Sequence, residues 1–183
     1  MNKRKKEALS RVIERELSIC SESRYVHARI FTENLKNSNK ENPKNSIELV
    51  SEFSSSTLSK YTETVNTVVE FMKSKHVILT NKELHIIKNY FRQNIENTVN
   101  NCLSKYLIPA LKSNGFYSDT ARLELNCIAG NTIIKCYKYL DDYYDGAILM
   151  ADNDPVTQSK RANFISLVAL FVSIIAFFYG LLH

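Results

Sequence analysis

Tryptophan is absent from this chain, and glycine and proline are scarce, with four and three copies in 183 residues. So few backbone breakers leave little material for the tight turns that join short strands, which favours long helices over a sheet. The same scarcity removes phosphate cradles: there is no GxGxxG and no Walker loop, and both need glycine to let a backbone approach a phosphate. The cysteines, Cys20, Cys102, Cys127 and Cys136, lack CxxC or other metal-ligand spacing, so reduced thiols in a core are expected. His27, His76 and His85 lack HxxxH or HExxH spacing, and no serine stands beside a recognisable base. These absences point away from an enzyme and imply neither cofactor nor metal.

What the chain does have is one long apolar run. Phe164 to His183 reads FISLVALFVSIIAFFYGLLH, without a charge before the terminal histidine and carboxylate. As a helix, residues 164–182 extend about 28 Å, close to the ~30 Å hydrocarbon core of a bilayer. Thirteen of them are Leu, Ile, Val or Phe, each favouring insertion by roughly 0.3–0.6 kcal/mol near the helix centre. A water-soluble core helix carries a polar face, and this one has none. The run is therefore expected to be a C-terminal membrane anchor. Lys160 and Arg161 flank it, and the positive-inside tendency keeps the larger upstream part in the cytoplasm. The basic start NKRKK runs into ALSRVIERELS, whose charges break any apolar signal region.

Within the apolar run, Ser166, Ala169, Ser173, Ala176 and Gly180 repeat at 3-4-3-4 spacing and share one helix face. Small residues allow close helix approach in lipid, so this stripe is a candidate for self-association.

Upstream, Leu9, Val12, Ile13, Leu17 and Cys20 recur at helical spacing, continuing through Tyr25, Val26, Ile30, Phe31 and Leu35 after an expected break near Ser21–Ser23. The polar stretch 37–46 reads as a linker, and Ser46 is placed to cap the next helix. Leu58, Tyr61, Val65, Val68 and Met72 then form a second stripe, with Ser54–Ser56 interrupting its upstream part. Thr80-Asn81-Lys82-Glu83 has the form of a capping box. Behind it, Leu84, Ile87, Phe91, Ile95, Val99, Cys102 or Leu103, and Tyr106 make a third stripe, which Pro109 should kink or end before a stop at Gly115. Ser118 opens a last stretch with Leu125, Ile128, Ala129, Ile133, Cys136, Tyr137, Leu140 and Tyr144, bounded by Gly146. Asp154-Pro155 reads as the start of the anchor helix.

Charge is uneven. Residues 1–36 hold nine Lys or Arg against five Glu, whereas 141–154 hold five Asp and no base. Lys3, Arg4, Lys5, Lys6 and Arg11, with Arg15, could meet anionic head groups, each worth about 1 kcal/mol near such a surface. Nucleic acid is disfavoured, because aromatic interleaving and a recognisable binding fold are missing. The alternative for the basic start is an exposed, frayed terminus. Asp141-Asp142-Tyr143-Tyr144-Asp145 matches DDxxD, a magnesium–diphosphate motif, but no second metal-binding segment accompanies it and an acidic helix end is the plainer reading.

The fold expected is all-α: a cytosolic bundle of about four to six helices followed by one C-terminal transmembrane helix. It divides into a basic amphipathic segment (1–36), a polar linker (37–46), a bundle core (47–152) and the juxtamembrane start with its anchor (153–183). Its expected role is that of a non-enzymatic, tail-anchored protein, single-pass in a lipid bilayer, whose head binds a protein partner or self-associates into a homo-oligomer. The alternative is a membrane-perturbing effector of toxin or defence type, activated when the tails cluster.

Overall fold

The computed structural model describes residues 3–37, 44–153, 159 and 162–169. Among them the chain is helical and forms no strand. Its elements are α1 (Lys3–Asn37), α2 (Lys44–Ser74), α3 (Asn81–Cys102), a π turn (Leu103–Leu107), α4 (Ile108–Ser113) and α5 (Asp119–Asn153). The chain divides into two units, 1–143 and 144–183.

In the first unit, α1 is the common partner, packing against α2, α3, the π turn and α4. Its sequence explains why. Leu9, Ile13, Leu17, Cys20, Arg24, Ala28, Phe31 and Leu35 are all buried, and their steps of three and four residues lay one continuous stripe along the helix. The expected break at Ser21–Ser23 does not occur. Ser21 Oγ instead bonds back to the Leu17 carbonyl at 2.9 Å, so its hydroxyl is satisfied without interrupting the helix.

α2 faces this stripe with Val50, Phe53, Tyr61, Val65, Val68 and Met72, and α3 contributes Leu84, Ile87, Phe91, Ile95 and Val99. Two expectations about α2 need correcting. The helix begins at Lys44, which puts Ser46 inside it rather than at its cap, and it runs unbroken through Ser54–Ser56. The capping box of α3 is present: Thr80 accepts from the Glu83 backbone at 3.3 Å, and the Glu83 carboxylate accepts from the Thr80 backbone at 3.0 Å.

Pro109 neither ends nor sharply breaks the helical path. In regular α geometry its ring would collide with the carbonyl four residues back, at Lys105. The chain widens into the π turn just upstream, where Ile108 donates to the Leu103 carbonyl, and α4 then carries Pro109 near its start. Pro109 thus converts one turn and leaves the next intact.

Two helix ends share one device. After α4, Phe116 donates to Leu111 and Gly115 to Lys112, with Gly115 at φ +76°. After α2, Val77 donates to Met72 and His76 to Lys73, with His76 at φ +46°. Both are Schellman ends, one built on glycine and one on histidine. Phe116 and Val77 are buried just beyond.

α5 presents Ala121, Leu125, Ile128, Thr132, Cys136 and Leu140 to the core of the first unit. The helix passes Gly146 and continues to Asn153, so Gly146 does not end it. In the second unit, residues 162–169 are also helical.

Candidate functional site

Three features bear on function: a polar layer in the bundle core, the basic end of α1, and the apolar segment of the second unit.

The polar layer exists because the stripe of α1 contains an arginine. Arg24 occupies a core position and is 6% exposed. No carboxylate pairs with it among the described residues. Its Nη1 donates to Ser56 Oγ at 2.8 Å, its Nη2 to Ser23 Oγ at 3.2 Å, and its Nε has no partner. His27 Nδ1 lies 3.0 Å from Ser56 Oγ and 3.3 Å from Arg24 Nη1. A guanidinium can only donate, so Nδ1 is the acceptor and the ring proton sits on Nε2. Burial, followed by the Arg24 charge, lowers the His27 pKa, while Glu52 opposes the shift. Desolvation likewise lowers the pKa of Arg24.

Beside this group lies a second cluster. Asn94 Oδ1 accepts from the Tyr61 hydroxyl at 2.8 Å and from Ser21 Oγ at 3.2 Å, and Thr98 Oγ1 is 2.9 Å from Ser21. Burial raises the Tyr61 pKa. It also raises Cys20 and pushes Cys102 and Cys136 up to about 12. Thiols held protonated in this way are poor nucleophiles at neutral pH. The layer fixes how α1, α2 and α3 meet. The sequence reading missed it, although Arg24 stands where the 4-4-3-4 spacing asks for an apolar residue, and that misfit is a legible signal.

The basic end of α1 is not frayed. Lys3 to Lys6 are helical, and two of these lysines are tied to neighbouring elements. Lys5 Nζ donates to the Lys75 carbonyl, past the end of α2, at 2.9 Å. Lys6 Nζ pairs with the capping-box carboxylate of Glu83 at 2.8 Å. That pair, with the hydrogen bond from the Thr80 backbone, lowers the Glu83 pKa to about 2. Arg11 Nε bonds to the Glu7 carbonyl, at 3.3 Å, within its own helix.

Within the DDxxD match, Asp141 is held by a lysine of α3. Lys88 Nζ sits 2.5 and 2.7 Å from the two oxygens of Asp141 and 5.0 Å above the Tyr137 ring. Among the described residues no group of three or more His, Cys, Asp or Glu could hold a metal ion.

In the second unit, every residue from Ala162 to Ala169 is exposed, including Phe164 at 67% and Ile165 at 66%. Ser166 Oγ donates to the Ala162 carbonyl at 2.9 Å, hiding its one polar group against the helix. Ser166 and Ala169 are three apart on this helical segment. The rest of the small-residue stripe (Ser173, Ala176, Gly180) and the flanking Lys160 and Arg161 lie outside the described residues, as does Asp154-Pro155. Among the described residues no helix is long and apolar enough to cross a membrane. Of the apolar run, only residues 164–169 are among those described.

Comparison with known protein families, with curated proteins and with solved structures finds no match to this chain.

Proposed function

We propose that this is a single-pass membrane protein whose helical head is held at a bilayer by residues 164–183 and works by association rather than by catalysis. The observation that carries the reading is the exposed apolar helix at 162–169. Phe164, Ile165, Leu167 and Val168 all stand open to solvent, and the sequence beyond them stays apolar to Leu182. Leaving four large apolar side chains in water forgoes roughly 1.5–3 kcal/mol each, a cost that lipid removes. The intrahelical bond of Ser166 supports the same reading, since a hydroxyl in hydrocarbon has no water to use. Lys160 and Arg161 orient the head toward the cytoplasm. The stripe that starts at Ser166 and Ala169 supports self-association through the tail, with a protein partner of the head as the other route.

Alkaline extraction of membranes tests the anchor. The full chain is expected to stay with the bilayer, and a chain lacking 162–183 to be released. A full chain that is soluble without detergent would remove the proposal. Cross-linking of a Ser173→Cys variant in membranes tests self-association, and loss of membrane potential on expression would favour the effector reading over a scaffold.

A further inference from the structure

Beside its buried stripe, α1 carries a second apolar row that the described residues leave open. Ile19, Val26 and Ile30 are 49%, 46% and 45% exposed. At about 100° per residue they fall within about 40° of one another around the helix. Single exposed aliphatics are ordinary, but three in line on one helix face make a seam. Val12, half-buried, extends the same line toward the N-terminus.

Along one side of the seam runs a row of charge: Arg15, Glu22, Arg29 and Glu33, all exposed. Arg15 holds Glu16 at 2.6 Å and keeps its own side chain mostly in solvent. Among the described residues Glu22, Arg29 and Glu33 form no ion pair, although Glu33 stands one turn from Arg29. What selects a partner is the order of these charges. It runs plus, minus, plus, minus, and from the other end it reads minus, plus, minus, plus. Such a row is complementary to itself reversed.

Helices packed antiparallel bring together the rows on the same side of their seams, whereas parallel packing brings opposite sides together. A two-fold axis crossing α1 midway between residues 24 and 25 sets Ile19 of one copy level with Ile30 of the other, and Val26 against Ser23. Counted at about 1.5 Å per residue, the same axis puts Arg15 about 1.5 Å from the level of Glu33 and Glu22 about 3 Å from that of Arg29. Symmetry repeats each pairing, so opposite charges meet along the whole row. Glu16, level with Glu33 of the other copy, lies across the seam from it and is already held by Arg15.

We infer that α1 docks antiparallel on α1 of a second copy through Ile19, Val26 and Ile30, with Arg15 and Glu22 of each copy meeting Glu33 and Arg29 of the other. The inference rests on the reading that the head works by association and names its partner. It does not depend on the anchor, since α1 lies in the first unit.

Sedimentation equilibrium of the full chain in a neutral detergent tests it. The parent is expected to dimerise at or below about 100 µM, within the range of small interfaces. Glu22→Arg and Arg29→Glu should each weaken the dimer about tenfold or more, because each sets like charges face to face. Mixed in equal amounts, the two variants should regain the parent affinity as a heterodimer, and the double variant should regain it with itself. Parallel packing leaves residues 22 and 29 about 10 Å apart along the axis and gives no such rescue. Both positions are exposed, and unchanged circular dichroism of the variants separates dissociation from unfolding. A monomeric parent, or weakening without rescue, would overturn the proposal. So would a dimer that neither swap weakens, and that result would leave association with the tail, which cross-linking at Ser173 reads. Release of the full chain by alkaline extraction would remove the anchor and leave this dimer standing.

Discussion

Arg24 Nη1 and His27 Nδ1 face each other across 3.3 Å inside the head, one turn apart on α1. Both lean on Ser56 Oγ of α2. A permanent cation thus holds the neutral imidazole in place, and a proton arriving at Nδ1 would oppose two donors.

This arrangement makes stability depend on mildly acidic pH. The groups acting on His27 are Arg24 on its own helix and Glu52 on α2, and burial with Arg24 outweighs Glu52. The folded pKa is lowered, so the contribution is complete above the ordinary value near 6.5. It is lost as pH falls from there through the folded value. The ring is half-buried, so solvent screens part of the repulsion and the effect is on the order of 0.5–1 kcal/mol. Melting curves from pH 7.5 to 5 should show this loss in the parent chain and a flatter profile in His27→Gln. Equal slopes in both would refute the assignment.

Arg24 itself is expected to be a structural burden. A buried cation without a carboxylate is desolvated, and its Nε is left without an acceptor. Arg24→Met keeps the length of the side chain, and Ser56 and His27 can still bond to each other. Denaturant unfolding should give a change between neutral and about 1–2 kcal/mol of stabilisation, in line with other buried ions replaced by apolar residues. Destabilisation beyond about 2 kcal/mol would mean that the bonds to Ser56 and Ser23 outweigh the desolvation.

The two Schellman ends make a matched pair. A left-handed conformation costs a residue with a Cβ roughly 1–2 kcal/mol, and glycine avoids it. Nothing lies within 4 Å of a Cβ built on Gly115, so the cost of Gly115→Ala is conformational, about 1 kcal/mol. His76→Gly should run the other way by a few tenths to 1 kcal/mol, because glycine also loses more freedom on folding. Chemical denaturation of both variants measures the signs, and the same sign in both would sink the argument.

These elements differ in how far the sequence revealed them. The stripes of α3, α5 and the first half of α1 were legible because burial on a helix repeats every three to four residues, and the Thr80–Glu83 box and Gly115 carry residue types that announce themselves. Beyond Cys20 the buried face of α1 runs through Arg24 and Ala28 and leaves the expected Val26 and Ile30 exposed. His76 was not legible, since its conformation is selected by the burial of Val77 and not by its own identity. Ser21 and Ser54–Ser56 were misread as interruptions. Ser21 bonds back to Leu17 within its own helix, and Ser21 and Ser56 also reach Asn94 and Arg24 on other helices, partners that exist only once the helices have met. The same holds for the basic start, whose fixed position comes from Lys75 and Glu83, about seventy residues away.

Asp141 shows how a chemical motif can be absorbed by packing. Its carboxylate receives Lys88 on both oxygens, and that lysine is further held over Tyr137. A magnesium ion would have to displace an ammonium that is only 19% exposed and then find further oxygen ligands. Millimolar magnesium is therefore expected to leave the melting temperature unchanged. Asp141→Asn should cost about 1 kcal/mol, since it strips a partly buried ammonium of its counter-charge, while Asp142→Asn, at an exposed position, should cost almost nothing. Magnesium-dependent stabilisation that disappears in Asp141→Asn would restore the metal reading and remove the ion pair as the reason for this aspartate.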